Sequence, residues 1–333
     1  IKLGKDGRVP HAILFGEEPG YGALPLSLAF AQYLSCPNRT ETDSCGSCPS
    51  CNKFEKLIHP DLHFAFPVST TKKITSKPVS DNFIDSWRKV VRANPYMGEQ
   101  ELYDETGAEN KPGNIGVAEA SLIFRKLSMT AFEGGNKYMV IWLAERMNQE
   151  ASNKLLKLLE EPPKDTYLFL ISQSVDRILP TILSRCRIIK LSPIDRHLLS
   201  ERLMIEFGIS EADATLWAKI SGGSLSRARR AISESQETSA FDNLIADLIN
   251  GCLSRELMNV ISVWEEVALL TRERQRDFCY KLIEYIRRTY ILSLGSEELS
   301  YIPESQRTLF AGWAKRIKPD FYEKGFDVVN KAI

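Results

Sequence analysis

Apolar residues along this chain follow two rhythms. Up to about residue 191 they gather in short runs: Ile13–Phe15, Leu62–Pro67, Met139–Leu143, Tyr167–Ile171 and Ile188–Leu191. Runs this short and this apolar suit strands buried on both faces better than independent helices. Helical spacings lie between them. Ala151, Leu155, Leu158 and Leu159 share one side of a helix, with Lys154, Lys157 and Glu161 on the other. Asn148 stands where it can cap that helix. Pro162 and Pro163 end it, because proline has no amide donor and clashes with the preceding turn. Further helices are expected from about Leu24 to Leu34 and from Ile115 to Met129, with a helical turn over Ile178–Ser184. Alternating strands and helices at this spacing predict a parallel α/β layer.

Beyond Pro193 the strand runs stop. Asp195–Phe207, Ser210–Ile220 and Ser224–Ile232 predict a three-helix unit. From Thr238 onward Leu244, Leu248, Leu257, Val263, Phe278, Leu282 and Ile286 keep a helical spacing, so the last part is expected to be all α. Residues 69–113 break the first rhythm. They are polar and rich in lysine, glycine and turn residues, with one amphipathic patch from Phe83 to Val91, and read as an insertion or surface excursion. The expected division is therefore an α/β domain over 1–191 containing that insertion, a three-helix domain over 192–236 and a helical domain over 237–333.

Composition adds bounds to this outline. A chain of 333 residues is long enough for two or three domains with their own cores. Hydrophobic residues at 43% and charged residues at 26% are ordinary for a soluble globular protein. With no run of membrane-spanning length and no signal-peptide pattern, a cytoplasmic location without a membrane partner is expected. The chain opens on Ile1 rather than methionine, so a short upstream stretch is expected. The formal net charge of +0 argues against a protein that coats nucleic acid by itself, since that affinity comes from neutralising phosphates.

Two stretches carry candidate chemistry. Cys36, Cys45, Cys48 and Cys51 have a C-x8-C-x2-C-x2-C spacing. The tight pairs bring thiolates close enough to share one tetrahedral zinc, and the longer loop supplies the fourth ligand. Four protein ligands leave no open position, so the expected zinc is structural. A redox pair or four free cysteines are the other readings, and they suit a cytosolic chain less well. Cys186, Cys252 and Cys279 are scattered and read as packing residues.

The second stretch, Gly16 to Leu24, follows the first strand, where a nucleotide-binding protein has its phosphate loop. Such a loop points backbone amides and one lysine at phosphate, with a hydroxyl on magnesium. Aligned on Pro19, Gly20 and Gly22, the first glycine is Glu17, the lysine is Ala23 and the hydroxyl residue is Leu24. Glu17 and Glu18 would also repel phosphate. After the third strand run, the magnesium aspartate and the water-activating glutamate of an ATPase correspond to Ala144 and Glu145. The turn is expected to keep its shape and bind no ATP.

The string Asn153 to Pro163, NKLLKLLEEPP, followed by Thr181 to Cys186, TILSRC, resembles the clamp-loader branch of the AAA+ ATPases. The cysteine spacing is similar to the zinc module of the bacterial clamp-loader subunits. The resemblance implies that Arg185 is an arginine finger reaching a neighbouring subunit's nucleotide. It implies that Ser172 and Gln173 lie where the family senses the γ-phosphate, and that His59-Pro60-Asp61 leads into a core strand instead of binding metal with His63. It makes the three-helix unit the AAA+ lid and the last segment the collar. The lid arginine that touches nucleotide corresponds to Ser226, with Arg227 one step on and expected to face elsewhere. The implied function is that of a non-hydrolysing member of the DNA polymerase III clamp loader, itself part of a nucleotidyltransferase holoenzyme. It would help load the sliding clamp on primed DNA and lend Arg185 to a neighbour's ATP site. Its implied partners are the gamma or tau and delta subunits, with clamp and primer-template DNA reached through the complex. An ATP-hydrolysing gamma or tau paralogue is the first alternative, and it needs an intact phosphate loop. An autonomous zinc-module nucleic-acid binder with an inert AAA+ core is the second. Zero net charge and no basic cluster around the cysteines count against that one.

Overall fold

Five strands, β1 (Ala12–Gly16), β2 (Leu62–Ala65), β3 (Lys137–Ile141), β4 (Thr166–Ser172) and β5 (Arg187–Lys190), pair in the order β2-β3-β4-β1-β5. Every pairing is parallel. The computed structural model describes residues 9–72, 74–108, 113–133, 135–270, 272–296, 302 and 306–332. In β1, β3 and β4 the side chains alternate between two buried layers, as a pleated sheet covered on both faces requires. The run Ile188–Leu191, expected to be buried on both faces, instead forms the edge strand β5, with Arg187, Ile188 and Lys190 exposed. Ile13, Phe15, Tyr138, Val140, Phe169 and Ile171 enter one cluster. Ala12, Leu14, Met139, Ile141, Leu168 and Leu170 enter the other. Helices α1 (Ala23–Ser35), α2 (Pro49–Glu55), α3 (Ile84–Ala93) and α4 (Glu99–Thr106) cover the first face, through Phe30, Phe54, Trp87 and Leu102. Helices α5 (Val117–Ser128), α6 (Gln149–Glu160) and α7 (Pro180–Leu183) cover the second, through Ile123, Leu155 and Ile182.

The α/β layer expected from the apolar runs is present, with shifts at strand ends. The run Met139–Leu143 becomes a strand over Lys137–Ile141, because Trp142 and Leu143 leave the sheet while staying buried. Leu143 adopts φ 55 there and turns the chain into a short 3-10 segment at Ala144–Arg146. An apolar run reports burial, and burial outlasts the strand by two residues. Asn148 caps α6, its side-chain oxygen accepting the Ala151 amide at 2.8 Å, and the helix ends at Glu160 ahead of the two prolines.

The expectation that residues 69–113 form a surface excursion is corrected. Phe83, Trp87, Val91, Met97 and Leu102 are part of the first buried cluster. Trp87 is 0% exposed and stacks on Phe66 at 4.3 Å between ring centroids. Five well-spaced apolar anchors suffice to fold this polar stretch onto the sheet as α3 and α4.

After the sheet come α8 (Arg196–Phe207), capped by Asp195, and α9 (Glu211–Ile220), capped by Ser210. Helix α10 (Leu225–Ser254) runs straight through the expected boundary at 236/237. Between Leu225 and Asn250 its sequence holds no glycine or proline to stop it. Two compact units divide instead between Ala231 and Ile232. In the second unit α11 (Leu257–Ala268), α12 (Arg272–Ser293), α13 (Arg307–Arg316) and α14 (Pro319–Ala332) follow. Its core is built from Ile245, Phe278, Tyr285, Phe310 and Trp313. Among the described residues no helix is long and apolar enough to cross a membrane.

Candidate functional site

Strand β1 lies between β4 and β5, and the helices after β1 and β4 leave to opposite faces of the sheet. The carboxyl ends of β1 and β4 therefore bound the crevice where such sheets bind ligands. The loop after β1 occupies it. Its first residue, Glu17, continues the sheet ladder, donating its amide to the Ser172 carbonyl at 3.0 Å. Gly20 and Gly22 take φ 86 and 100, a left-handed backbone that glycine adopts without strain. Gly22 is the N-cap of α1 and offers no side chain to the free amides of the first turn. Glu17 supplies the acceptor, its Oε2 receiving the Ala23 amide at 2.8 Å. Burial pushes the Glu17 carboxyl up from the usual carboxylate range. Hydrogen bonds from the Ala23 and Gly22 amides oppose that rise, and the nearby Glu145 charge adds to it. The side chains of Ala23 and Leu24 are buried in the core.

The start of α10 closes over this loop. Ser224 Oγ donates to the Pro19 carbonyl at 2.7 Å, and the Leu225 amide donates to the Gly20 carbonyl at 3.2 Å. A Cβ on Gly20 would stand 2.1 Å from Ser226 Oγ, and one on Gly22 would stand 2.8 Å from Tyr96 Cε1. Arg227 does not face elsewhere, as its offset suggested. Its Nη2 lies 3.2 Å from Glu18 Oε2, because the helix start is pinned to the loop and its next turn stays within reach. Arg229 pairs with Glu206 at 2.7 Å, hydrogen-bonds Asn94 and lies over the Tyr96 ring. At the end of β3, Ala144 is buried, and Glu145 Oε1 accepts the Gln173 amide at 3.0 Å while its Oε2 is buried without a hydrogen-bond partner among the described residues. Ser172 Oγ accepts the Ser174 amide at 3.1 Å. Glu17, Glu145, Ser172 and Ser224 thus each bond the chain's own backbone.

Arg185 lies at the other edge. It precedes β5 by two residues, and β5 runs parallel to β1 in the register Ile13 with Arg187 to Gly16 with Lys190. Arg185 is thus at the amino ends of the strands and the loop at their carboxyl ends, roughly 13 Å of strand apart at about 3.3 Å per residue. Arg185 Nη2 pairs with Glu160 Oε1 at 2.7 Å, and its Nη1 donates to the Thr181 carbonyl at 2.9 Å and to Ser184 Oγ at 3.3 Å. The paired side chains are 35% and 50% exposed.

The four cysteines meet between α1 and α2. Their sulfurs all lie within 4.8 Å of one another, and the pairs Cys36–Cys48 and Cys45–Cys51 stand at 4.0 Å. Backbone amides of Cys45, Cys48 and Cys51 point at the sulfurs of Cys36, Cys45 and Cys48 at 3.3 to 3.4 Å. Amide hydrogen bonds from Ser47 and Cys48 pull the Cys45 thiol down to about 6, while burial pushes Cys51 up to about 12. A tetrahedral zinc with bonds of about 2.3 Å needs sulfurs about 3.8 Å apart, so the cluster fits such an ion. His59 is occupied elsewhere, 3.2 Å from a Glu133 carboxylate and accepting the Asp61 amide through Nδ1 at 3.2 Å. Neither His59 nor His63 joins a metal-like group among the described residues.

The family model described as DNA polymerase III, delta subunit, matches residues 2–195. That is more than half of the chain. The chain belongs to this DNA polymerase III delta subunit family. The DNA polymerase III subunit delta' of Bacillus subtilis is 29% identical over 213 residues, which are 64% of this chain and 51% of that one. The corresponding Escherichia coli subunit is 29% identical over 219 residues, 66% of this chain and 53% of its own. The chain thus aligns with about half the length of these relatives. A Thermotoga maritima DNA polymerase III gamma subunit-related protein is 16% identical and aligns over 95% of this chain and 98% of its own with a TM-score of 0.40, too slight a likeness to build on. The delta subunit match takes in the whole sheet, the loop, the cysteine cluster and Arg185. Sequence reasoning about this family member missed Tyr96 and Arg229 near the loop and sent Arg227 elsewhere. Only the asparagine-proline turn before Tyr96 marked that region, and it carries no hint of where the ring lies.

Proposed function

We propose that the chain is a nucleotide-silent clamp-loader subunit of DNA polymerase III that completes a neighbouring subunit's ATP site with Arg185. One observation carries this reading: Arg185 lies at the opposite ends of the strands from the chain's own loop, out of reach of that loop, and is partly exposed. The loop itself lacks the lysine and the hydroxyl, with Ala23 and Leu24 in their places, and the magnesium position is Ala144. The fold this reading assigns is a degenerate AAA+ core over 1–191, a lid over 192–236 and a collar over 237–333. The gamma or tau and delta subunits are the partners. Arginine fingers given in trans stabilise charge developing on the transferring phosphate.

The test is assembly. The chain should co-purify as a stable complex with gamma or tau and delta subunits, and calorimetric titration of the isolated chain with Mg-ATP should show no micromolar isotherm. A single-site micromolar isotherm would move the reading to the hydrolysing paralogue. A salt-dependent affinity of the isolated chain for DNA would move it to a nucleic-acid binder.

The same reading gives Cys36, Cys45, Cys48 and Cys51 a structural zinc, which would tie the end of α1 to α2. Elemental analysis should find one zinc per chain, and chelation should make the 36–51 segment protease-sensitive while the sheet stays folded, since the metal's binding energy stabilises only what it ties together. A metal-free chain with an unchanged cleavage pattern would remove this part.

A further inference from the structure

We propose that the helical unit over 232–333 holds a ligand site of its own, a cavity that takes a single acyl chain with an anionic head.

The cavity, of about 550 Å³, lies among the helices of that unit. Leu248 and Ile249 of α10, Trp264 of α11, Ile286 of α12, and Phe321 and Val328 of α14 line it. Its floor is core, since Leu248, Ile249 and Ile286 are buried, whereas Trp264 and Phe321 remain 42% and 46% exposed. Large apolar side chains left half in water around a hollow of this size are what ligand sites between helices offer. If round, a space of 550 Å³ is about 10 Å across, no wider than one helix with its side chains. A slender chain therefore fits it better than a partner helix.

Charge names the other end of the ligand. Arg316, Lys318 and Lys324 are exposed and line the same cavity, and no acidic residue joins them there among the described residues. None of the three pairs with an acid among the described residues. Cations at the mouth of an apolar hollow suit an anionic head whose tail goes inward.

Gly325 is an independent sign of the same site. It lies inside α14, where glycine weakens a helix relative to alanine. A Cβ there would meet only ordinary contacts, Phe321 Cε1 at 3.5 Å and Ile286 Cδ1 at 3.7 Å, and its φ is not left-handed. Neither backbone strain nor close packing asks for glycine at this position. Its missing side chain leaves the cavity open.

The probes are straight-chain fatty acids from hexanoate to laurate, added to the full chain below the concentrations at which they form micelles. Binding is read by calorimetry and by protection of Cys252, which is exposed and lines the cavity, from alkylation. One molecule should bind per chain, about fourfold tighter for each added methylene until the space is full. Gly325→Leu should abolish both binding and protection while melting no lower than wild type. Lys318→Glu combined with Lys324→Glu should weaken decanoate about fivefold and leave decanol unchanged, as the loss of two partly exposed charge contacts would. If Gly325→Leu does not fold, the chain-length series and the charge variant decide. No saturable binding at any chain length overturns the site, and so does binding that a folded Gly325→Leu leaves intact. Charge reversal without effect on decanoate overturns the anionic head. Protection by an acidic apolar peptide, or only by phosphatidylglycerol vesicles, with none by free decanoate, overturns the acyl ligand.

Discussion

The two edges of the sheet each carry a charged side chain beside a tight turn, and the protein holds them in opposite ways. Glu17 is half-buried and accepts the Ala23 amide, in a loop to which the start of α10 is hydrogen-bonded. Arg185 is partly exposed, held by one ion pair and two neutral acceptors on its own turn. An exposed ion pair of this kind contributes about 0–1 kcal/mol, whereas a hydrogen bond to a charged group contributes about 1.5–3 kcal/mol. The carboxyl edge is committed to the chain itself, and the amino edge keeps an arginine that costs little to release. The role proposed for Arg185 requires both properties, at different ends of the strands.

The largest effect that could break this contrast comes from Arg185. In the reconstituted assembly, Arg185→Ala and Arg185→Lys should each slow ATP hydrolysis at the adjacent site by roughly a thousandfold, while the free chain keeps its melting temperature. Lysine preserves the charge but not the planar fork, so a mainly structural bridge would tolerate it. Hydrolysis and clamp loading at wild-type rates with either variant would leave Arg185 as nothing more than a partner for Glu160.

The closed edge can be tested from behind. Trp87 anchors α3, and the turn after that helix sets Tyr96 against Gly22. Trp87→Ala should cost about 3–5 kcal/mol in urea unfolding, as for a large buried aromatic. A loss under about 1 kcal/mol would mean that this segment is not part of the core. The smallest effect belongs to the open edge. Glu160→Ala should destabilise the free chain by less than about 1 kcal/mol, measured the same way. A larger loss would show that Arg185 is locked in place and the contrast overdrawn.

Much of the sheet was legible because buried parallel strands write themselves as apolar runs, and Asn148 and Pro162 bracketed α6 by local chemistry alone. The cysteine cluster was legible for a similar reason, since its spacing fixes which sulfurs can meet. Residues 83–102 were not, because their apolar anchors are spaced among lysines, arginines and turn residues whose composition suggests solvent. The division into two compact units was not legible, because a helix leaves no mark where it passes from one packed unit to the next. At the loop, sequence showed what had been lost, the lysine and the hydroxyl. It could not show that Glu17 folds back onto the Ala23 amide, or that Arg227 reaches Glu18, since both depend on where α10 begins in space.

The stitching of α10 to the loop has a mechanical meaning. In a nucleotide-driven machine the lid is a lever, and the ligand beneath it tightens or loosens the pivot. Here the pivot is bolted by the chain itself: Ser224 to Pro19, Leu225 to Gly20, Arg227 to Glu18, and the Ile194 amide to the Gly223 carbonyl at 3.0 Å. No bound or departing phosphate is needed to set its angle. The loop and the first turn of α10 are thereby held together by the chain's own groups.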